Sequence, residues 1–351
     1  MSVILSYADV KKQSESVWNQ FGESKWIPYT QINAKLPNRR DPFELQGCGI
    51  GKFAVLAAMG ASIEGHIEAI KKYRNKFDLI TCDKGFGMLL EHGIKADFVQ
   101  LCDTNIQYKW LEPYVNETVG VKLLATTYAN VEWTTRWRGP IYFYTNKDAL
   151  QSEKKFLPIM GQPDIAKLGL PDNLNISSEK TRVIPAGSNV SNAMLIFMVG
   201  VDETNQLSFS GYENFFLTGY DYSWRPSGPE FKCKTGNYYA FANPPKRVYM
   251  NHRTMLDINN DPVLTSENLL FSAKWMYSYI SAYNLPVTNC SERGILDIPS
   301  KKPLEECLKR IQSTPELTKK IRSQFEICKN AAIVLNSTKD NLNESRRLLW
   351  Q

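Results

Sequence analysis

Residues 53–70 read FAVLAAMGASIEGHIEAI, and this stretch decides the fold. FAVLAA at 53–58 is a short continuous apolar run, the pattern of a strand covered on both faces. Met59-Gly60-Ala61-Ser62 then turns the chain. Ile63, Ile67, Ile70 and Phe77 follow at helical spacing with Lys and Arg between them. The unit is a strand, a tight small-residue turn and an amphipathic helix.

The unit repeats downstream. DLITCD at 78–83 and DFVQLCD at 97–103 read as strands, joined by the helix-compatible KGFGMLLEHG at 84–93. Apolar strands linked by helical crossovers predict a parallel sheet. Further strands are expected at 122–128, 140–146, 181–186 and 214–222, and SNVSNAMLIFMVGV reads as a capped apolar helix. The expected fold class is α/β: a mostly parallel, Rossmann-like sheet with helices on both faces, plus C-terminal helices. Residues 1–50 lack a sustained period and read as an N-terminal arm or cap. The catalytic or binding domain is expected over 51–300 and a helical segment over 301–351. Two Pro/Gly-punctuated stretches, 151–180 and 223–265, read as long surface loops, the second ending in a hairpin around Asn259-Asn260. SENLLFSAKWMYSYISAY at 266–283 reads as a helix that Ser266 caps. Helices starting near Pro303 and Pro315 are expected to pack on the core or on a second copy of the chain.

Composition sets the class. In 351 residues, 43% are apolar and 22% charged, which excludes disordered and fibrous chains. The net charge of +6 is scattered in pairs such as Arg39-Arg40 and Lys71-Lys72, which suits an anionic small ligand better than a nucleic-acid stripe. The N-terminus lacks the pattern of a signal peptide and no apolar run approaches the roughly 20 residues of a membrane span, so a cytoplasmic protein is expected. Seven cysteines, widely spaced and without a C-x-x-C pair, argue against a disulfide framework or a zinc site.

Several residues stand where chemistry is possible. Gly60 and Ser62 bring backbone N–H groups and a hydroxyl to a helix start, which makes either an anion site or a plain capped turn. GCGIGK at 47–52 lacks the Ser/Thr of a P-loop and leads into a strand, so it is set aside. Asp83 and Asp103 each end a strand, and in a parallel sheet both line the edge where ligands bind. Asn105 follows closely. Gly187, Ser188 and Asn189 repeat the strand, polar turn and helix design, with side chains suited to a sugar, a base edge or a phosphate oxygen. Gly219-Tyr220-Asp221-Tyr222 ends the next strand. Of three histidines, His66 and His92 read as surface or capping groups, and His252 is the one to test as a general base.

In order along the chain, AAMGASIE, LITCDKGFGMLLEHGIKADFVQLCD, AGSNVSNAML, FFLTGYDYSW and PVLTSENLLFSAKWMYSYIS followed by VTNCSERGI resemble the motility accessory factor family. That family shares its core with archaeal 6-hydroxymethylpterin diphosphokinases and looks like a relative of bacterial sialyltransferases. Ala61, Ala96 and Arg293 depart from its usual Pro, Pro and Gly. Cys102-Asp103-Thr104-Asn105 also lacks the Asp-Leu-Asp-Gly metal motif of the diphosphokinases. The resemblance therefore implies sugar transfer from a CMP-activated nonulosonic donor to a hydroxyl of a protein, glycan, lipid or modified nucleic acid. In that map Gly60 and Ser62 hold the donor phosphate, and Asp83, Asp103, Asn105, Gly187, Ser188, Asn189 and Gly219 surround the nucleotide. Tyr220 or Tyr222 assists phosphate departure, His252 or Asp221 deprotonates the acceptor, and Glu292 and Arg293 close the site. No cofactor is required by this reading and no metal ligand is assigned. The alternatives are an ATP- and magnesium-dependent pterin diphosphokinase and a non-catalytic nucleotide-binding protein.

Overall fold

The structure is a computed structural model, described over residues 21–146, 159–160, 182–184, 189–200, 209–224, 232–233, 236–237 and 252–311. An N-terminal helix α1 (Ile27–Asn33) and a two-residue strand β1 (Arg39–Arg40) precede the expected series: β2 (Phe53–Ala57), β3 (Phe77–Cys82), β4 (Phe98–Leu101), β5 (Lys122–Thr126) and β6 (Ile141–Asn146). Strands β7 (Arg182–Ile184), β8 (Asn214–Thr218) and β13 (Val287–Asn289) complete one nine-stranded sheet, in which every pairing is parallel. Two antiparallel ribbons stand apart from it. One joins β9 (Lys232–Cys233) to β10 (Gly236–Asn237), the other β11 (His252–Leu256) to β12 (Pro262–Ser266). The second is the hairpin expected around Asn259-Asn260.

The order of strands matters most for function. From β2 the chain steps outward through β3, β4, β5 and β6, then returns to the other side of β2 with β8 and finally β13. The path therefore reverses between β2 and β8, the position at whose carboxyl ends open α/β sheets generally bind ligands. On the outer side of β6, β1 pairs with Ile141 and Tyr142 and β7 with Tyr144 to Asn146. Ala54 to Ala57, Leu79 to Cys82, Phe98 to Leu101 and Leu123 to Thr126 are all buried, so both faces of the central strands are covered, as their unbroken apolar runs require.

Local sequence explains the helices. The chain leaves β2 through a 3₁₀ segment, Ala61–His66, and becomes α-helical only in α2 (Ile67–Lys72). The sequence predicts a regular helix there; Gly60, in extended conformation ahead of it, has no side chain to cap one. Helix α3 (Asp83–Glu91) starts one residue earlier than its sequence suggests, with Asp83 in its first turn, where a carboxyl suits the helix dipole. The short α4 (Val131–Thr134) is capped by Asn130, whose side chain accepts from the N–H groups of Glu132 and Trp133. Helix α5 (Val190–Val199), apolar all round and buried, lies across β3 and β4. Ser266 caps α6 (Glu267–Ala282) through the Leu269 N–H at 3.3 Å. Helix α7 (Leu304–Arg310) packs on α2 of the same chain: Lys72 pairs with Glu305 at 2.9 Å, and Lys76 Nζ reaches the Ile311 carbonyl at 3.1 Å beyond the helix end. The expected helix near Pro315 lies outside the described residues. No helix among the described residues is long and apolar enough to cross a membrane.

Candidate functional site

At the reversal, three loops meet at one aspartate. Asp221 follows β8 by three residues and is only 4% exposed. Its Oδ2 accepts the Ser62 N–H at 2.9 Å and its Oδ1 accepts the Ser62 hydroxyl. Its backbone carbonyl accepts the Ile295 N–H at 2.9 Å. The Gly60 N–H donates to the Gly219 carbonyl at 2.8 Å. A Cβ on Gly60 would lie 2.5 Å from that oxygen and 2.6 Å from Asp221 Cγ, so only glycine allows the approach. Gly294, at φ 90, packs as closely on the Asp221 backbone from the loop after β13. The backbone N–H and hydroxyl that the sequence offers to an anion at Ser62 are taken up by the protein's own carboxylate, and the Gly60 N–H by the Gly219 carbonyl. The Gly60 and Ser62 amides are therefore satisfied within the protein, and each Asp221 oxygen already accepts a bond from Ser62.

The two tyrosines beside it are also redirected. The Tyr220 hydroxyl donates to the Ser191 carbonyl at 2.8 Å, and the Tyr222 hydroxyl donates to Asn192 Oδ1 at 2.5 Å, so both point into α5 rather than onto the rim. Burial holds both phenols well above their ordinary ionisation range. Thr265 Oγ1 donates to the Tyr222 carbonyl at 2.8 Å, and Tyr222 itself takes a left-handed backbone, φ 50. These side chains orient the loop after β8 against α5.

A histidine that sequence reads as a surface group is buried in the same knot. His66 Nδ1 lies 2.6 Å from Thr218 Oγ1, and Nε2 lies 3.8 Å from Glu292 Oε2. Burial lowers the imidazole's pKa, and the Glu292 carboxylate works in the opposite sense. The Glu292 side chain is 51% exposed and its backbone sits at φ 60, held by Asn259 Nδ2 donating to its carbonyl at 2.7 Å. The neighbouring Arg293 is exposed.

The other half of the site lies along the carboxyl ends of β3, β4 and β5. Asp83 is 7% exposed; its Oδ1 accepts the Lys84 N–H at 2.6 Å. Burial raises its carboxyl from 3.8 to about 6, with the Asp103 charge adding a smaller push in the same direction. Asp103 is exposed and accepts the Asn105 N–H at 2.7 Å. Residues from the N-terminal segment close over this row, which no periodic signal in the sequence reveals. Lys25 donates to Asn105 Oδ1, and Trp26 Nε1 donates to Thr104 Oγ1 at 3.1 Å while its ring stacks on Tyr128 at 4.4 Å. Lys84 lies over the Trp110 ring, 5.3 Å from its centroid. Beneath the row, the Tyr144 hydroxyl meets Gln100 Nε2 at 2.6 Å and Cys102 Sγ at 2.9 Å.

Other sequence assignments have structural partners or lie outside the described residues. Asn189 accepts the Asn192 N–H at 2.9 Å and so caps α5. Gly187 and Ser188 lie outside the described residues. His252 starts the β11–β12 hairpin and packs against Trp224, with ring centroids 4.5 Å apart. Gly60, Asp83 and Asp103 do share one edge, on adjacent strands. Among the described residues no three His, Cys, Asp or Glu side chains converge as metal ligands.

A parallel sheet whose strand order reverses, with small-residue bends and acidic strand ends along one edge, defines an open α/β protein. The chain belongs to the family described as 6-hydroxymethylpterin diphosphokinase MptE-like, which matches residues 33–225. The MAf glycosyltransferase of Magnetospirillum magneticum AMB-1 is similar in structure, with a TM-score of 0.54 and 16% sequence identity over 87% of this chain. That likeness is one of fold, and it covers 42% of the glycosyltransferase chain. No curated protein matches in sequence.

Proposed function

We propose that the protein is a glycosyltransferase that moves a nonulosonic sugar of the sialic type from a CMP-activated donor to a hydroxyl acceptor. The observation that carries this reading is the buried Asp83 carboxyl at the end of β3, held near neutrality beside the exposed Asp103. A carboxyl balanced between its two forms can donate to a ring nitrogen and accept from an adjacent amino group, the pair of functions on the edge of cytosine. In this assignment Oδ2 donates to the ring nitrogen, and Oδ1, which also accepts the Lys84 N–H, accepts from the amino group. Asp103 and Asn105 then face the ribose, and Lys84 and Lys25 supply positive charge for the phosphate in place of the occupied Ser62 turn. The shared fold with a glycosyltransferase is consistent with this assignment.

Calorimetry with CMP tests it. Asp83→Ala and Asp103→Ala are each expected to weaken CMP binding about tenfold or more, since each removes one hydrogen-bonding group of the pocket. Unchanged affinity in both variants overturns this pocket. The family description favours a second reading, an ATP- and magnesium-dependent pterin diphosphokinase. In that case Asp83 and Asp103 are the carboxylates from which a magnesium site could be built, and the protein releases AMP when given magnesium, ATP and hydroxymethyldihydropterin, with no response to CMP. Tight nucleotide binding without turnover of either donor identifies a binding protein.

A further inference from the structure

We infer that Glu292 is the base that accepts the proton of the attacking hydroxyl, with His66 as the residue that positions it. This rests on the transferase reading. Five groups are compared for the role, and contacts decide among them. Asp221 is engaged by Ser62 at both oxygens, Tyr220 and Tyr222 are buried with their hydroxyls bonded into α5, and His252 packs on Trp224 in a hairpin separate from the sheet. Glu292 alone in this set combines a half-exposed carboxylate with a fixed backbone at the strand reversal.

Its backbone conformation supports a selected position. A glutamate at φ 60 is strained, and such residues persist where the surroundings hold them. Here the Asn259 side chain grips its carbonyl and Gly294, two residues on, is wedged against Asp221. The imidazole lies between Thr218, 2.6 Å from its Nδ1, and Glu292, 3.8 Å from its Nε2. The tautomer with its proton on Nε2 lets the Thr218 hydroxyl donate to Nδ1 and turns an N–H toward Glu292. In the transfer step the acceptor oxygen forms a bond to the anomeric carbon. The bond from that carbon to the phosphate oxygen breaks, its electron pair leaving on CMP, and the acceptor proton passes to Glu292 and from there to solvent.

The test uses CMP-N-acetylneuraminic acid as donor, with water standing as the acceptor hydroxyl and CMP release as the readout. Glu292→Gly keeps a residue at home in the left-handed region, so its melting temperature is expected to hold or rise. Its kcat is expected to fall about 100-fold with CMP affinity unchanged, the scale of a lost general base. Added formate, which fits the vacated space, is expected to restore roughly tenfold of that rate. Thr218→Val leaves the carboxylate in place; it is expected to lower kcat at constant KM and to gain nothing from formate. A Glu292→Gly protein that binds CMP and keeps more than about half the wild-type rate overturns the base assignment and leaves the transferase reading intact. A wild-type protein that binds no CMP removes both. One that binds CMP but releases none from the donor overturns the base and leaves a binding protein.

Discussion

Asp83 makes a stability prediction with a definite sign. Its carboxyl titrates near 6 in the fold against 3.8 for an ordinary aspartate, because burial disfavours the charge. A raised carboxyl costs nothing below pH 3.8 and its cost grows as pH rises through 6, reaching about 3 kcal/mol for a shift of this size. Asp83→Asn, which keeps shape and hydrogen bonding, is expected to melt above the wild type at pH 7.5 and level with it near pH 4. Equal melting temperatures at both pH values refute the buried-charge account. Sequence shows such residues only in part. Asp83 and Asp103 are visible as acidic strand ends, and their place on a common edge follows from a parallel sheet. The burial of His66 and the capture of Ser62 by Asp221 are not visible, because each joins residues more than 150 positions apart. Lys25 and Trp26 escape notice because their partners, Asn105 and Thr104, lie about 80 positions away.

At the scale of elements, Asn189 separates capping from ligand binding. Its side chain satisfies the Asn192 N–H at the start of α5, an apolar helix whose orphan amides lie near the sheet edge. Asn189→Ala is expected to cost about 1 kcal/mol of stability and to leave CMP affinity unchanged. A loss of affinity without a loss of stability returns Asn189 to the nucleotide pocket. The strands themselves are legible where their apolar runs are long: β2, β3, β4, β5, β6 and β8 appear within a few residues of their expected positions. β1 is not, since two arginines carry no period. Arg39 joins the sheet through pairing with Ile141 and a bond to the Met160 carbonyl at 2.9 Å. The start of α2 departs from its helical pattern because the turn before it serves the Asp221 contact rather than the helix.

Across the whole molecule, the sheet has two arms that meet between β2 and β8, one running out to β6 and the other to β13. Helical periodicity and strand composition describe each arm separately; only the coordinates show a side chain bonding both arms where they meet. Deleting the Asp221 carboxylate with Asp221→Ala leaves the Ser62 amide and hydroxyl facing an unfilled hollow. The variant is expected to melt well below the wild type, in the 2–4 kcal/mol class of a lost buried charged partner. Sulfate or phosphate in the buffer should then raise its melting temperature more than it raises the wild type's. If sulfate acts equally on both, the hollow does not accept anions. Asp221 is thus a tethered anion: the chain carries its own occupant for a hollow of N–H and O–H donors, and excision of that occupant is expected to turn a structural contact into a receptor.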